Sequence, residues 1–342
     1  MADKKEKKYS IYDVAKKAGV GIATVSRVLN NSRFVKKQTK ELVLKIIKEL
    51  DYIPDFFARN LVKKTSKTIG LLIPDIINPV FSEMAKGISD KAFDSNYTVY
   101  LCNTDSAVKK EIEFVKNLLE KHVEGIIFIS TEMSKYEGDF EHYLYLHKKN
   151  IPIVFINGML KNIDIPFVRI NEVKAGYTAT NYMLKKGLRK IAFLGGSINF
   201  IPTREKIEGY TKAFREFGLN VNKKYIILDN FDIESGYRDA IKLLEMDNKP
   251  EGIITASDVL AIEVVKASNL KGIKIPSELE VIGFDDIGLA SIYNPSITTI
   301  AQPKYDMGAT ALNMLVDLIN KKELIKKNVL IDPELIIRES CP

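Results

Sequence analysis

Residues 10–30 read SIYDVAKKAGVGIATVSRVLN, and this stretch decides the fold of the first part of the chain. Ser10 is an N-cap residue, and Asp13 stands three positions later, in the capping-box position. Val14 and Ala15 begin an apolar face. Ala18-Gly19-Val20 ends the first helix, because Gly19 can take the positive φ that a Cβ resists. Gly21 caps a second helix, whose Val25, Val28 and Leu29 recur at three- and four-residue spacing and face inward. Ile22, Ala23, Ser26 and Arg27 share the opposite face. Two short helices about a glycine turn make a helix-turn-helix, whose second helix enters the DNA major groove.

On that face Arg27 is the base-reading candidate, since a guanidinium can donate two parallel hydrogen bonds to guanine O6 and N7. Ile22 and Ala23 offer apolar contacts to thymine methyls. Tyr12, Thr24, Ser26 and Asn30 suit phosphate contacts, which orient a module without reading sequence. Ser10 and Gly21, at the starts of the two helices, complete the candidate face. A small helical bundle with a solvated basic face has the same pattern, and charge separates the two readings. Residues 1–67 hold 17 Lys and Arg against 7 Asp and Glu, a net of +10, whereas the whole chain of 342 residues carries +7. The basic excess therefore lies in the first fifth of the chain, as in a nucleic-acid-binding module joined to a weakly acidic body.

Composition excludes other classes. The hydrophobic share of 46% and the charged share of 28% are those of a soluble globular protein. No run of 18 apolar residues exists, so no membrane span is expected. The N-terminus MADKKEKKYS lacks the apolar core of a signal peptide, which points to the cytoplasm. Cys102 and Cys341 are too few and too far apart for a disulfide framework or a zinc site. His122, His142 and His147 have no partner at ligand spacing, so no metal is expected. No phosphate-cradling glycine loop and no nucleophile–base–acid set can be assembled, so neither catalysis nor a cofactor is expected.

Lys37 to Leu50 reads as a third helix, with Leu42, Val43, Ile46, Ile47 and Leu50 inward and no capping side chain at Lys36. Tyr52-Ile53-Pro54 stops the chain. Residues 55–63, DFFARNLVK, form a short helical stretch, and a basic linker follows. Then the period changes. Apolar runs near 68–74, 97–102, 125–130 and 151–157 alternate with helical stretches near 79–94, 108–121 and 139–149. A second set of runs lies near 167–170, 190–195, 225–228, 252–256 and 281–284, with helices near 174–186, 204–217, 234–246 and 259–267. Buried runs alternating with helices mean parallel sheets with right-handed crossovers. There are too many strands for one compact sheet, so the expected fold class is α/β: an all-α headpiece followed by a two-lobed, doubly wound core. Residues 298–302 and the helix near 306–318 are expected to return to the first lobe, and a last strand near 329–337 to complete the second. Ligands of such folds sit at strand C-termini, facing the cleft.

Asp13-Val14-Ala15, Ala18-Gly19-Val20, Ala23-Thr24-Val25-Ser26-Arg27-Val28 and Asn30 resemble the headpiece of the lactose-repressor (LacI/GalR) family of bacterial transcription regulators. The likeness continues through Tyr52-Ile53-Pro54, Ala58-Arg59 and Leu61 to about Arg338, and is similar in pattern to catabolite control proteins and sugar-operon repressors. The resemblance implies a headpiece over residues 1–66 with a hinge helix over 55–63. It also implies a core over 67–342, like periplasmic sugar-binding proteins. The first lobe is expected over about 67–160 and 298–325, the second over about 161–297 and 326–342. Asp55, Ala58 and Leu61 would belong to the hinge, with Leu61 as an apolar wedge in the minor groove.

The resemblance further implies effector contacts from Asn78 and Phe81 after the first strand, and from Asn157, Lys206, Ser257 and Asp285, with Arg204 as a substitute for Lys206. Asn78 also suits a plain helix cap. Lys206 stands where sugar- and purine-responsive relatives carry Arg, and an ammonium lacks that planar fork. Ser257 replaces an Asn, and Asn157 an Asp. The implied partners are a pseudo-palindromic double-stranded operator bound by a homodimer, with a tetramer left open, and a small sugar or phosphosugar. The alternative co-regulator is a serine-phosphorylated phosphocarrier protein, as for catabolite control proteins.

Overall fold

A computed structural model describes residues 9–29, 34–52, 65–129, 135, 138–160, 163–229 and 233–342. Asn30, Asp55, Ala58 and Leu61, and with them the hinge helix, lie outside the described residues. The chain divides into two compact units, residues 1–66 and 67–342.

The first unit holds α1 (Ile11–Ala18), α2 (Ile22–Leu29) and α3 (Lys37–Glu49). The Asp13 carboxylate accepts from the Ser10 N–H at 2.8 Å and from its hydroxyl at 2.7 Å, which ties down the entry to α1. Gly19 ends α1 at φ 64°. The Val20 N–H then donates back to the Ala15 carbonyl, and the Gly19 N–H to that of Lys16, satisfying carbonyls the helix leaves open. Val14, Ala15, Val25, Val28, Val43 and Ile46 form the buried core. Leu42 departs from expectation, being 45% exposed. Val43 and Ile46, with Ile47 and Leu50 beside them, already fill the face of α3 that α1 and α2 can cover.

In the second unit, β1 (Thr68–Ile73), β2 (Thr98–Asn103), β3 (Ile126–Phe128), β4 (Ile153–Ile156), β5 (Phe167–Ile170) and β11 (Asn328–Ile331) form a sheet in the order β11-β5-β4-β3-β1-β2. Its pairings are all parallel. A second sheet has β6 (Ile191–Gly196), β7 (Ile226–Asp229), β8 (Gly252–Thr255), β9 (Glu280–Asp285), β10 (Thr298–Ala301) and β12 (Glu334–Ile336), in the order β12-β10-β9-β8-β6-β7. Only β12 is antiparallel there. The described helices of this unit are α4 (Pro79–Asp94), α5 (Val108–Glu120), α6 (Glu141–Lys148), α7 (Glu172–Lys185), α8 (Ile201–Glu216), α9 (Ile233–Leu244), α10 (Asp258–Leu270), α11 (Gly288–Ile292) and α12 (Lys304–Ile319). None of the described helices is long and apolar enough to cross a membrane.

Two lobes are present, but the chain divides between them differently from the expected boundaries. β5 belongs to the first sheet although, among the described residues, no helix separates it from β4, and a helix-free connection between parallel neighbours reads as a lobe boundary. β10 stays in the second sheet. The Thr298 hydroxyl donates to carbonyls of the C-terminal segment, and Thr299 meets Asp258, so its polar residues find partners only there. α12 does return to the first lobe, where it packs along α4. The expected last strand is two strands. Asp332-Pro333 separates β11 from β12, and the proline has no N–H for a ladder.

Candidate DNA-reading face and effector cleft

In the headpiece, α2 buries Val25 and Val28 and turns Ile22, Ala23 and Arg27 to solvent. Thr24 and Ser26 are half-buried at the edges of that face, and Tyr12 on α1 is 68% exposed. Gly21 precedes α2, its carbonyl accepting from the N–H groups of Thr24 and Val25. Ser10 is exposed, with its hydroxyl engaged by Asp13. The described headpiece residues proposed from sequence thus lie outside its core. Neither a fold nor an ion pair consumes Arg27 among the described contacts.

In the core, Asn157, Ser257 and Asp285 follow or end strands, Asn78 precedes α4, and Phe81, Arg204 and Lys206 stand on helices. Asn78 caps α4, its Oδ1 accepting from the Val80 N–H at 3.0 Å, and Phe81 packs against the apolar core. Ser257 caps α10, its hydroxyl accepting from the Leu260 N–H at 3.4 Å. Arg204 stays at the surface, where its Nε donates to the Ile198 carbonyl at 2.6 Å. That leaves Lys206, one turn-face inward, as the buried cation of α8.

Lys206 reaches its place because α7 and α8 touch backbone to backbone. A Cβ on Gly209 would lie 2.0 Å from the Val173 carbonyl oxygen, and one on Gly176 2.1 Å from that of Lys206. Only glycine allows this approach. It sets the Lys206 ammonium 2.7 Å from the Glu172 carboxylate and 4.3 Å above the Phe284 ring. Arg169, on β5, meets Glu205, on α8, at 2.6 Å and joins the two lobes. The same guanidinium lies 2.9 Å from the Met159 sulfur. Gln302 links the lobes again. Its Nε2 donates to Asp285 at 2.6 Å, and its Oε1 accepts from Asn157 at 3.4 Å. The Lys304 ammonium donates to the carbonyls of Asp285 and Asp286 at 2.6 and 2.9 Å.

Of the sequence candidates, Asn157, Lys206 and Asp285 therefore come together, while Asn78 and Ser257 spend their side chains on caps. Arg169, Glu172, Glu205, Gln302 and Lys304 were not anticipated. One signal for them exists in the sequence: a charged residue, Arg169, inside the otherwise apolar strand FVRI. Burial pushes the carboxyls of Glu172, Glu205 and Asp285 above the ordinary carboxylate range, against the pull of Lys206 on Glu172 and Asp285 and of Arg169 on Glu205. Beside them is a cavity of about 140 Å³ lined largely by apolar side chains, among them Phe140, Leu144, Met159, Leu160 and Ile201. Met159 is common to the cavity and to the Arg169 contact. Among the described residues, no cluster of acids, histidines and cysteines could hold a metal ion.

The "Bacterial regulatory proteins, lacI family" model matches residues 10–55, and the periplasmic binding protein-like domain matches residues 180–341. The chain is 38% identical to the ribose operon repressor of Halalkalibacterium halodurans, over 97% of this chain and 96% of the relative. It is 36% identical to catabolite control protein A of Priestia megaterium, over 97% and 98%. The crystal structure of the lac repressor dimer bound to operator and the anti-inducer ONPF superposes with a TM-score of 0.86 at 25% identity. That match covers 98% of this chain and 99% of the other.

Proposed function

The chain belongs to the lacI family of bacterial regulatory proteins, and on that premise we propose that it is a sequence-specific DNA-binding transcriptional regulator, a repressor of carbohydrate genes, and not an enzyme. The observation that carries this is α2, whose Val25 and Val28 are buried while Ile22, Ala23 and Arg27 face solvent within a strongly basic segment.

A homodimer is the form that places two such helices in adjacent half-sites of an inverted repeat. Exposed apolar side chains favour it. Phe93, Tyr100 and Leu101 lie on and beside β2, the edge of the first sheet, and Leu289 and Ile292 on α11 of the second lobe. Large exposed apolar groups of this kind mark contact surfaces.

The effector is a small sugar held between the lobes. The site sets Glu172, Glu205 and Asp285 against Arg169, Lys206 and Lys304, so its cations are already matched by carboxyls. A neutral, hydroxyl-rich ligand suits it better than a phosphosugar, whose charge would need a free cation. A ligand that prefers one lobe arrangement shifts DNA affinity by linkage.

Gel-shift titration on the DNA upstream of the protein's own gene tests this reading. Saturable binding to an inverted repeat is expected, with affinity falling steeply as salt rises and changing when D-ribose or another neutral sugar is added. Equal affinity for random duplexes at low salt would overturn the regulator. Response to a phosphorylated carrier protein, with no sugar effective, would replace the effector.

A further inference from the structure

Asp258 begins α10 beneath the turn that carries Asp285, and its side chain is fully buried. Its Oδ2 accepts from the Ile287 N–H at 2.8 Å, and its Oδ1 lies 2.6 Å from the Thr299 hydroxyl. That hydroxyl accepts in turn from the Asp286 N–H at 3.3 Å. Carboxyl and hydroxyl together hold the amides of two successive residues. The turn needs such an anchor, because Asp285 and Asp286 stand at φ 102° and 53°, a region that non-glycine residues rarely adopt. β9 makes room for the carboxyl at Gly283, where a Cβ would lie 2.1 Å from Asp258 Oδ1.

The charged groups around it are accounted for. Asp285 and Asp286 face it from the turn. Arg338 pairs with Asp286 at 2.6 Å, Lys304 donates to the turn carbonyls, and Lys206 attracts Asp285. The hydrogen bonds to Asp258 come from uncharged partners.

We propose that Asp258 is a positioning residue for the effector cleft, which sets the direction of Asp285 and exchanges a proton when a ligand draws on Asp285. This rests on Asp285 as an effector contact. The proton need not break the turn. An ionised Asp258 accepts from the Thr299 hydroxyl, a protonated one donates to it, and Oδ2 accepts from Ile287 in both forms. Burial first, and the Asp285 charge second, push this carboxyl up to about 8, so the exchange falls near neutrality. Ligand hydroxyls that stabilise ionised Asp285 favour proton retention at Asp258, because two nearby carboxylates ionise at each other's expense.

Amide NMR of the full chain between pH 6 and 9.5 tests this without any sugar. In the unmodified protein the Asp286 and Ile287 amides are expected to shift together, with a midpoint near pH 8. Asp258→Asn, which keeps the shape and loses the titration, is expected to leave both flat. Asp285→Asn is expected to lower the midpoint by about one pH unit or more. Flat amides in the unmodified protein, or an unchanged titration in Asp258→Asn, would overturn the proposal. An unmoved midpoint in Asp285→Asn would overturn its link to the cleft. Failure of D-ribose and other neutral sugars to bind would instead count against the effector reading alone.

Discussion

In the headpiece, the residues proposed to meet DNA stand in water: Arg27, Ile22 and Tyr12 lie outside a core of Val14, Val25, Val28 and Val43. In the core of the protein, the charged residues of the cleft are buried or half-buried and already bound to one another, Lys206 to Glu172 and Arg169 to Glu205. The difference follows from the ligands. DNA is large, rigid and heavily charged, so its reader must project outward and can keep its cations hydrated until contact. A sugar must be enclosed, and an enclosed charge without a partner is costly. The headpiece can therefore lose a functional residue and keep its fold, whereas the core cannot separate its site from its stability.

The largest effect expected from breaking that contrast is at Lys206. Lys206→Ala leaves Glu172 buried without its cation, and should cost about 3–5 kcal/mol in urea unfolding of the core. The double variant Lys206→Ala/Glu172→Gln should recover much of the loss. A Lys206→Ala protein of unchanged stability would show that the pair is not the enclosed one described. Next comes Arg27→Ala, expected to reduce discrimination between operator and random duplex by about 1–3 kcal/mol while leaving headpiece stability nearly unchanged. Equal discrimination by both proteins would remove Arg27 as a base reader.

The smallest effect is in pH dependence, where the two regions should differ in window and in sign. In the core, Glu172, Glu205, Asp258 and Asp285 are raised when folded, so the folded state binds more protons. Its stability should fall as pH rises from 5 through about 8, where Asp258 ionises. In the headpiece, the Lys17 ammonium 3.0 Å away holds Glu49 below its usual value of 4.5. That contribution is present above pH 4.5 and is lost on further acidification. Thermal unfolding monitored by probes in each region would separate the two. A core that gains stability between pH 5 and 8 would contradict the burial-driven shifts.

The headpiece was readable because its instructions are local. Ser10 and Asp13 meet across one helical turn, Gly19 needs no distant partner to take φ 64°, and the spacing of Val25 and Val28 faces them inward wherever the helix packs. In the core the strand and helix positions were equally local, but their assignment to lobes was not. β10 could be placed only once Thr298 had met the C-terminal segment and Thr299 had met Asp258. The cleft was read in part. Asn157, Lys206 and Asp285 stood in motifs, but Arg204, two residues from Lys206, turns to the surface and donates to the Ile198 carbonyl ahead of α8.

The amino-acid sequence by itself determined the helix-turn-helix, the basic first fifth and the alternation that builds two α/β lobes, because caps, periodicity and charge act over a few residues. Only the tertiary structure decided which strands share a sheet and which charges share a cleft. Glu172 meets Lys206, and Arg169 meets Glu205, through the contact of α7 with α8 and of one lobe with the other. Those contacts join residues more than thirty positions apart, and no local pattern encodes which buried carboxylate will face which cation.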